Sequence, residues 1–200
     1  PKSGMAEQMS LMEEQGPEET ELAQERQDLH RVQSRAEWRT LCHKLEQASL
    51  VAMEILEEGE TIQGISLCFE EESAWWVETS VIPWNELAVQ LKPIMEKEQI
   101  RKIGHNFKEE YRAFLPYGVQ PKGVVFDTMI AAYLINPSKD TYTIDELSTI
   151  YLGEFASSEI EVLGSGSKKM SLLDLSPERR TLYAASLTQI VYRVYPKMKQ

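Results

Sequence analysis

The sequence has few cysteines and no long apolar segment. Cys42 and Cys68 are far apart, and each lies in an apolar pattern, which favours buried thiols in a reducing cytoplasm over a disulfide. No run approaches the roughly 18 apolar residues that suggest a membrane span. Pro1–Gln15 contains no basic region followed by an apolar core, so the sequence predicts no signal peptide. These absences predict a cytoplasmic protein with no membrane partner.

Basic residues are also scarce, at 21 against 32 acidic ones, and the formal net charge is −11. This argues against a broad nucleic-acid-binding face, because domains that hold the phosphate backbone usually carry excess Lys and Arg. Part of the imbalance is local, since Glu7–Asp28 has eight acids and one base. We interpret residues 1–28 as an acidic linker, or alternatively a partly helical lead-in, and residues 29–200 as one folded domain.

The first half of this domain predicts one helix followed by three strands. Ser34 and Glu37 have the spacing of a capping box, and apolar residues follow at helical spacing. Strands are predicted at Leu50–Ile55, in the alternating and therefore half-buried Ile65–Phe69, and at Ala74–Glu78. The short links between them favour antiparallel pairing, because parallel neighbours need a crossover connection.

The second half alternates helices and strands. A helix is predicted around Trp84–Lys97 and a strand at Ile100–Gly104, after which Asn106 is the predicted N-cap of a helix. A strand at Val124–Phe126 leads to Asp127, the predicted N-cap of the next helix. This alternation predicts an α/β domain with a mixed sheet covered by helices.

The last third of the chain predicts a helix, a loop and a long final helix. Thr143 and Glu146 have the spacing of a capping box. Glu154–Leu175 contains GSGSKK and predicts a mobile loop. Ser176 and Pro177 then supply an N-cap and a first-position proline for the final helix.

Several motifs in this second half occur in a recognisable order. They are Lys102-Ile-Gly-His-Asn-Phe-Lys108, Gly118-Val119, Phe126-Asp-Thr-Met-Ile-Ala-Ala-Tyr-Leu134 and Tyr142-Thr-Ile-Asp-Glu-Leu147. From about Leu29 to Lys199 the chain resembles the 3′–5′ exonuclease-like domain of bacterial DNA polymerase I, a family A DNA polymerase. The resemblance implies a ribonuclease-H-like mixed sheet flanked by α-helices. It also implies a polymerase domain in cis, through which the protein reaches DNA.

The resemblance implies four catalytic carboxylates that hold two divalent metals. The first family motif, Asp-x-Glu, matches Glu54-Ile55-Leu56; the second, an aspartate, matches Glu110; the third, an aspartate four residues after Tyr183, matches Leu187. Two acids are therefore lost and two are longer by one methylene. Hard cations need oxygen ligands, and a misplacement of about 1 Å can reduce a rate on the order of 100-fold. The sequence thus predicts a vestigial site without metal or other cofactor, with Mg²⁺ or Mn²⁺ relevant only if activity persists.

The final helix gives an independent reason for the leucine at this position. Its residues Tyr183, Leu187, Ile190, Val194 and Met198 share one face. An aspartate in this stripe would be unfavourable unless a metal or another partner met it, whereas a leucine packs. We therefore expect Leu187 to be ordinary core.

Other polar and aromatic residues favour structural roles. His105, at a strand end, is expected to be hydrogen-bonded rather than a metal ligand. Asp127 and Asp145 are expected to cap helices. Trp75 and Trp76 are adjacent in a strand and should point to opposite faces of the sheet, rather than both stacking on bases.

The main interpretation is a monomeric, inactive proofreading domain that acts as a structural module of a DNA polymerase in replication or repair. One alternative is a weak metal-dependent 3′–5′ exonuclease that uses Glu54 and Glu110. The other is a non-catalytic module that binds single-stranded DNA or protein in the old cleft, where Asn106, Lys108 and Tyr183 would meet the strand.

Overall fold

The computed structural model describes residues 28–199, so the predicted acidic linker, apart from Asp28, lies outside the described residues. This range contains six strands and seven α-helices. The strands are β1 (Asp28–Arg31), β2 (Leu50–Glu58), β3 (Thr61–Glu70), β4 (Ser73–Glu78), β5 (Arg101–Gly104) and β6 (Val124–Asp127). The helices are α1 (Arg35–Gln47), α2 (Trp84–Met95), α3 (Lys108–Phe114), α4 (Thr128–Ile135), α5 (Ile144–Leu147), α6 (Glu159–Leu163) and α7 (Pro177–Met198).

The strands form one mixed sheet in the order β1-β4-β3-β2-β5-β6. The pairs β2–β3 and β3–β4 are antiparallel, as predicted, whereas β1–β4, β2–β5 and β5–β6 are parallel. The sequence patterns did not predict β1. This strand is held beside β4 by backbone pairing and by Arg31, whose Nε lies 3.3 Å from the buried carboxylate of Glu78.

Helices cover both faces of the sheet. Trp75 packs in the cluster beneath α1 and α2, and Trp76 packs in the cluster beneath α7, which confirms their opposite orientations. Because both faces are covered, the prediction of a half-buried β3 was wrong: the strand is buried continuously from Gln63 to Cys68. Across the α7 face, the buried hydroxyls of Ser66 and Thr188 lie 2.6 Å apart.

Capping residues in the sequence correctly predicted where helices α1 and α7 begin. Ser34 caps α1 by accepting a hydrogen bond from the Glu37 amide at 3.2 Å. The Glu37 carboxylate accepts from the amide of Gln33, one residue before the predicted cap. Ser176 likewise caps α7, with Pro177 as its first residue, and its Oγ accepts from the Arg179 amide at 3.3 Å.

The segment predicted as a mobile loop, Glu154–Leu175, is not an irregular loop throughout, so that part of the prediction was wrong. It contains α6 and two 3₁₀ turns, at Gly166–Lys168 and Leu172–Asp174. The apolar residues of this segment include Leu163, Leu172 and Leu175, which are buried in the α7-side cluster. These leucines pack the segment onto the fold, which its glycines and serines did not indicate.

A smaller cluster joins α4, α5 and the end of α7. Its buried members are Ala132, Leu147, Ile190, Val194 and Met198. A π-helical turn at Ser148–Leu152 follows α5 and ends at Gly153, which adopts the left-handed conformation with φ +69°. Alongside this cluster, β6 forms one edge of the sheet and carries a bulge: Lys102 pairs with Val124 and Ile103 with Phe126, leaving Val125 unpaired.

Both cysteines are free thiols, as predicted. Cys68 is buried and Cys42 is half-buried, and burial raises the pKa of each thiol to about 12. No helix within residues 28–199 combines the length and apolar character needed to cross a lipid bilayer.

Candidate functional site

The candidate site lies where the carboxyl ends of β5 and β6 meet the middle of β2. Gly104 and Asp127, the last residues of β5 and β6, are paired in register. Ala52 of β2 pairs with Ile103, so Glu54 lies level with His105, just beyond the end of β5. Carboxyl ends of parallel strands commonly form ligand sites in α/β sheets.

The Glu54 carboxylate is buried and hydrogen-bonded to the backbone. Its side chain has an exposed fraction of only 8%, and Oε1 accepts a hydrogen bond from the His105 amide at 2.6 Å. Burial raises the pKa of Glu54 well above its ordinary value, and the neighbouring charges of Glu110 and Asp127 raise it further. The hydrogen bond from His105 opposes these effects without cancelling them. Burial and the neighbouring negative charges therefore favour the neutral form of Glu54 more than in an exposed glutamate.

Glu110 is buried more deeply, at 2% exposure, in the first turn of α3. Its Oε1 accepts a hydrogen bond from the Ile55 amide at 3.3 Å, and its Oε2 has no hydrogen-bond partner among the described residues. Burial raises the pKa of Glu110 to about 8, with smaller contributions from Asp127 and Glu109. An unpartnered buried oxygen is easier to accommodate as a neutral carboxyl than as a carboxylate.

Asp127 is a third carboxylate in the site, and its role is structural. Its oxygens accept hydrogen bonds from the amides of Met129 and Ile130, so it caps α4 as predicted. They also accept from the amides of Asn106, at 3.1 Å, and Phe107, at 2.7 Å. The Asp127 side chain thus accepts hydrogen bonds from backbone amides both in the first turn of α4 and in the turn that precedes α3.

The prediction that Asn106 caps α3 was wrong. Asn106 adopts the left-handed conformation with φ +61°, and α3 begins at Lys108 with no side-chain cap from Phe107. Asparagine tolerates this conformation better than most residues. Asp127, 21 positions along the chain, binds the amide of Asn106. Sequence reasoning identified Asp127 as a local cap and missed this second, long-range role.

His105 is hydrogen-bonded, as predicted. Its Nδ1 lies 2.9 Å from the hydroxyl of Thr128, which also donates to the Gly104 carbonyl at 3.2 Å. Burial lowers the pKa of His105, and the charge of Asp127 only partly opposes this. A neutral, hydrogen-bonded imidazole results.

Leu56 and Leu187, which the resemblance matches to the other two catalytic acids, differ in their surroundings. Leu56 is half-buried and packs against the α7-side cluster that contains Leu172 and Leu175. Beside it, the Ser171 hydroxyl donates to the carboxylate of Glu58 at 2.6 Å. Leu187 is only half-buried, so the expectation of an ordinary core position holds less well for it than for Ile190 and Val194, which are buried.

The three predicted strand-contacting residues occupy two elements. Asn106 is half-buried in the turn before α3, and Lys108 is exposed at the first position of that helix. Tyr183 lies on α7, half-buried against its cluster, and burial raises the pKa of its hydroxyl, with Glu159 and Asp145 adding to the shift. Both acids are therefore close to Tyr183, which makes its surroundings negative.

A cavity of about 480 Å³ lies elsewhere, between β1 and the first turns of α7. Its lining includes Leu29, Arg31 and Thr181, and includes none of the four positions matched to catalytic acids. Among residues 28–199, no group of three or more His, Cys, Asp or Glu side chains is arranged to hold a metal ion.

Comparison with known proteins identifies the family. A family model described as "DNA polymerase I, ribonuclease H-like domain" matches residues 52–187. DNA polymerase I of Rhizobium leguminosarum is 27% identical over 118 residues, which cover 59% of this chain and 12% of the relative. Across six curated relatives, all of them bacterial DNA polymerase I, the chain spans only 11% to 19% of the relative's length.

Solved structures support the same fold at low sequence identity. Escherichia coli RNase D, an exoribonuclease, superposes with a TM-score of 0.67 at 17% identity, over 86% of this chain and 44% of that one. The POL domain of Pol1 from M. smegmatis superposes with a TM-score of 0.59 at 16% identity, over 85% of this chain and 27% of that one. Together with the sequence match, they show that the chain belongs to the DNA polymerase I family of ribonuclease-H-like, 3′–5′ exonuclease-like domains.

Proposed function

We propose that this domain has lost exonuclease activity and acts as a structural module of a cytoplasmic DNA polymerase in replication or repair. In this proposal, residues 1–28 form the linker that precedes the domain at residues 29–200. A polymerase domain is present in the same polypeptide, and DNA is bound through that domain. The exonuclease-like domain itself is monomeric.

The observation that carries the proposal is the state of Glu54 and Glu110. Both are buried, both accept hydrogen bonds from backbone amides, and burial raises the pKa of both. Two-metal catalysis needs ionised oxygen ligands that face the metals. Two buried carboxyls that each already accept a backbone hydrogen bond are a poor ligand set for two divalent cations.

The leucines reinforce this argument. Leu56 and Leu187 offer no ligand atoms, and Leu56 is also packed against apolar neighbours. Asp127 remains as a carboxylate, but its oxygens are already engaged by four backbone amides. The residues present therefore do not fit the two-metal centre that the resemblance implies.

The first test is incubation of the domain with 5′-labelled single-stranded DNA and MgCl₂ or MnCl₂, with a parallel RNA substrate. We expect both substrates to remain intact. Glu110→Gln is the matched variant, because it nearly preserves the volume of the buried side chain. Metal-dependent shortening from the 3′ end that disappears in Glu110→Gln would overturn the proposal and establish a residual exonuclease.

A residual exonuclease is the second candidate because Oε2 of Glu110 is unpartnered and Glu54 lies close enough for its pKa to be raised by the Glu110 charge. Cleavage of RNA alone would indicate an RNase D-like activity. The same assay therefore separates an inactive domain from a DNA exonuclease and from an RNA exonuclease.

Restoring the family's acids tests the assignment of the four positions. The combined variant Glu54→Asp, Leu56→Glu, Glu110→Asp and Leu187→Asp should gain a magnesium-dependent rise in its unfolding temperature, since a ligand that binds only the folded state stabilises it. The unmodified chain should show no such rise. A folded variant that also fails to respond to magnesium would show that these positions do not form the ancestral site.

Binding of single-stranded nucleic acid through Asn106, Lys108 and Tyr183 remains a weaker proposal. The acidic neighbours of Tyr183 and the net charge of −11 oppose it. Fluorescence anisotropy with a labelled oligonucleotide at low salt should show no binding. Salt-sensitive binding that Lys108→Gln weakens would favour this function instead.

A further inference from the structure

The cavity between β1 and the start of α7 plays no part in the function proposed above. Its volume of about 480 Å³ lies within the usual range for small-molecule sites. One wall includes Leu29 and Arg31, which are two positions apart on β1 and therefore face the same side of the sheet. The other wall includes Pro177, Glu178 and Leu182 from the first two turns of α7. The cavity thus combines apolar surface with one cation and one carboxylate on opposite walls.

The Arg31 guanidinium is fixed along its wall by a buried carboxylate. Its Nε lies 3.3 Å from Oε1 of Glu78, and its Nη2 donates to Oε2 at 3.4 Å. Glu78 is only 3% exposed and also lies 3.3 Å from Nε of Arg180, so two cations share its single negative charge. The remaining nitrogen of Arg31, Nη1, has no hydrogen-bond partner among residues 28–199. Arg31 therefore contributes a fixed and incompletely neutralised donor.

Glu178 supplies a charge of opposite sign on the α7 wall. Its side chain is exposed, and its pKa is lowered by hydrogen bonds from its own backbone amide and from the Ser176 hydroxyl, with a further contribution from the charges of Arg31 and Arg180. Glu178 is therefore ionised at neutral pH. Arg31 and Glu178 interact electrostatically without forming a direct ion pair, because Arg31 pairs with Glu78 instead.

These groups indicate the chemistry of a ligand. Arg31 needs an acceptor, Glu178 needs donors, and the apolar side chains of Leu29, Pro177 and Leu182 suit the faces of a flat ring. A carboxylate has two oxygens, so it accepts best from two adjacent donors. Among the nucleobases, guanine alone has two adjacent donors, N1–H and N2–H₂, beside an acceptor, O6. The O6 and N7 atoms of guanine are also the acceptors that arginine contacts most often in DNA.

We propose that this cavity binds the guanine base of a free nucleoside. Arg31 Nη1 donates to O6, Glu178 accepts from N1–H and N2–H₂, and the apolar side chains contact the ring. A free nucleoside suits the cavity better than a nucleotide or a strand, because Glu178 and the net charge of −11 repel phosphate. The site is separate from the four positions matched to catalytic acids, none of which lines the cavity.

Isothermal titration calorimetry of the 200-residue chain with guanosine tests the proposal. Inosine lacks only the N2 amino group of guanosine, so it should bind about tenfold more weakly. Glu178→Gln should weaken guanosine binding by about tenfold as well, and in this variant guanosine and inosine should bind equally. The four measurements form a double-mutant cycle that isolates the contact between Glu178 and N2.

Glu178 is the residue to change because its side chain is exposed. Removing Arg31 would take a partner from the buried carboxylate of Glu78, and breaking a buried ion pair destabilises the fold. Glu98→Gln is the matched control, since Glu98 is exposed and does not line the cavity. It should leave the affinities for guanosine and inosine unchanged.

Absence of guanosine binding at millimolar concentration would overturn the proposal, as would equal affinity for guanosine, inosine and adenosine. Weaker binding in Lys108→Gln but not in Glu178→Gln would place the nucleoside in the candidate site and would also overturn it. Tighter, salt-sensitive binding of a guanine-containing oligonucleotide would make a nucleic-acid strand the ligand in place of a free nucleoside. None of these outcomes bears on the nuclease assay, so this site and the proposed function are tested independently.

Discussion

At the scale of single residues, the two acids of the candidate site, Glu54 and Glu110, are both buried. Glu54 and Glu110 each hold a backbone amide, and each has a raised pKa because burial penalises its charged form. One pKa unit corresponds to about 1.4 kcal/mol of difference between the two protonation states. The protonation of these groups must therefore be linked to folding.

For Glu110→Gln we predict a higher free energy of unfolding at alkaline pH. The unfolded chain releases the Glu110 proton near the ordinary pKa of 4.5, whereas the folded chain retains it to about 8. The stability due to the neutral carboxyl is fully present below pH 4.5 and is lost as the pH rises to 8. The variant should gain at least about 1 kcal/mol at the upper end of this range, measured by urea unfolding at several pH values.

Glu60→Gln is the control for this experiment, because Glu60 is exposed in the turn between β2 and β3. It should reproduce the pH dependence of the unmodified chain. If the Glu110→Gln curve also remains parallel to that of the unmodified chain from pH 4.5 to 8, Glu110 does not hold its proton in the folded state.

Asp127→Asn should be strongly destabilising. Its carboxylate accepts from four backbone amides at two helix starts, and the loss of a single N-cap typically reduces stability by about 0.5–2 kcal/mol. We expect the free energy of unfolding to fall by about 2–4 kcal/mol. Asp174→Asn, which alters an exposed carboxylate that accepts from the single amide of Ser171, should have a much smaller effect in the same thermal or urea unfolding measurement.

At the scale of elements, the segment from α6 to Leu175 closes over the end of β2. Leu172 is 5% exposed, whereas the next residue, Leu173, is 52% exposed. Substituting each of these adjacent leucines in turn compares a buried side chain with an exposed one of the same type.

Leu172→Ala should lower the free energy of unfolding by about 2–4 kcal/mol, the usual range for a buried leucine. Leu173→Ala should change it by less than about 0.5 kcal/mol. Urea unfolding monitored by tryptophan fluorescence provides the comparison. Equal effects of the two substitutions would mean that this segment is not packed against the sheet.

The elements that the sequence predicted are those specified by neighbours in the chain. Ser34, Asp127 and Ser176 cap helices that begin within three residues of them. Missed features depend on distant partners: β1 needs Glu78 through Arg31, and the turn at Asn106 needs Asp127. No local pattern encodes either contact.

The candidate site, too, could be predicted only in part from the sequence. The resemblance placed Glu54 and Glu110 together, and the charge of Glu110 does raise the pKa of Glu54. Their burial and their amide partners could not be predicted, because both depend on the packing of α3 against β2. Leu187 was expected to be core and is only half-buried, since position within a helical stripe does not fix its depth.

At the scale of the whole molecule, the net charge of −11 produces repulsion that opposes compaction. Raising NaCl from low to physiological concentration should therefore raise the unfolding temperature, by about 2–4 °C for each kcal/mol of repulsion screened. Differential scanning calorimetry at neutral pH measures the effect. The rise should vanish near pH 4.9, the isoelectric point, and a rise of equal size there would exclude this cause.

The buried thiols have a practical consequence for labelling chemistry. With a pKa of about 12 for Cys42 and Cys68, only about one thiol in 10⁵ is a thiolate at pH 7, and the thiolate is the form that maleimides attack. A cysteine introduced on the surface would react selectively while both natural cysteines remain in place. A single fluorophore at position 134 could then report on the environment of α4 in an otherwise unmodified protein.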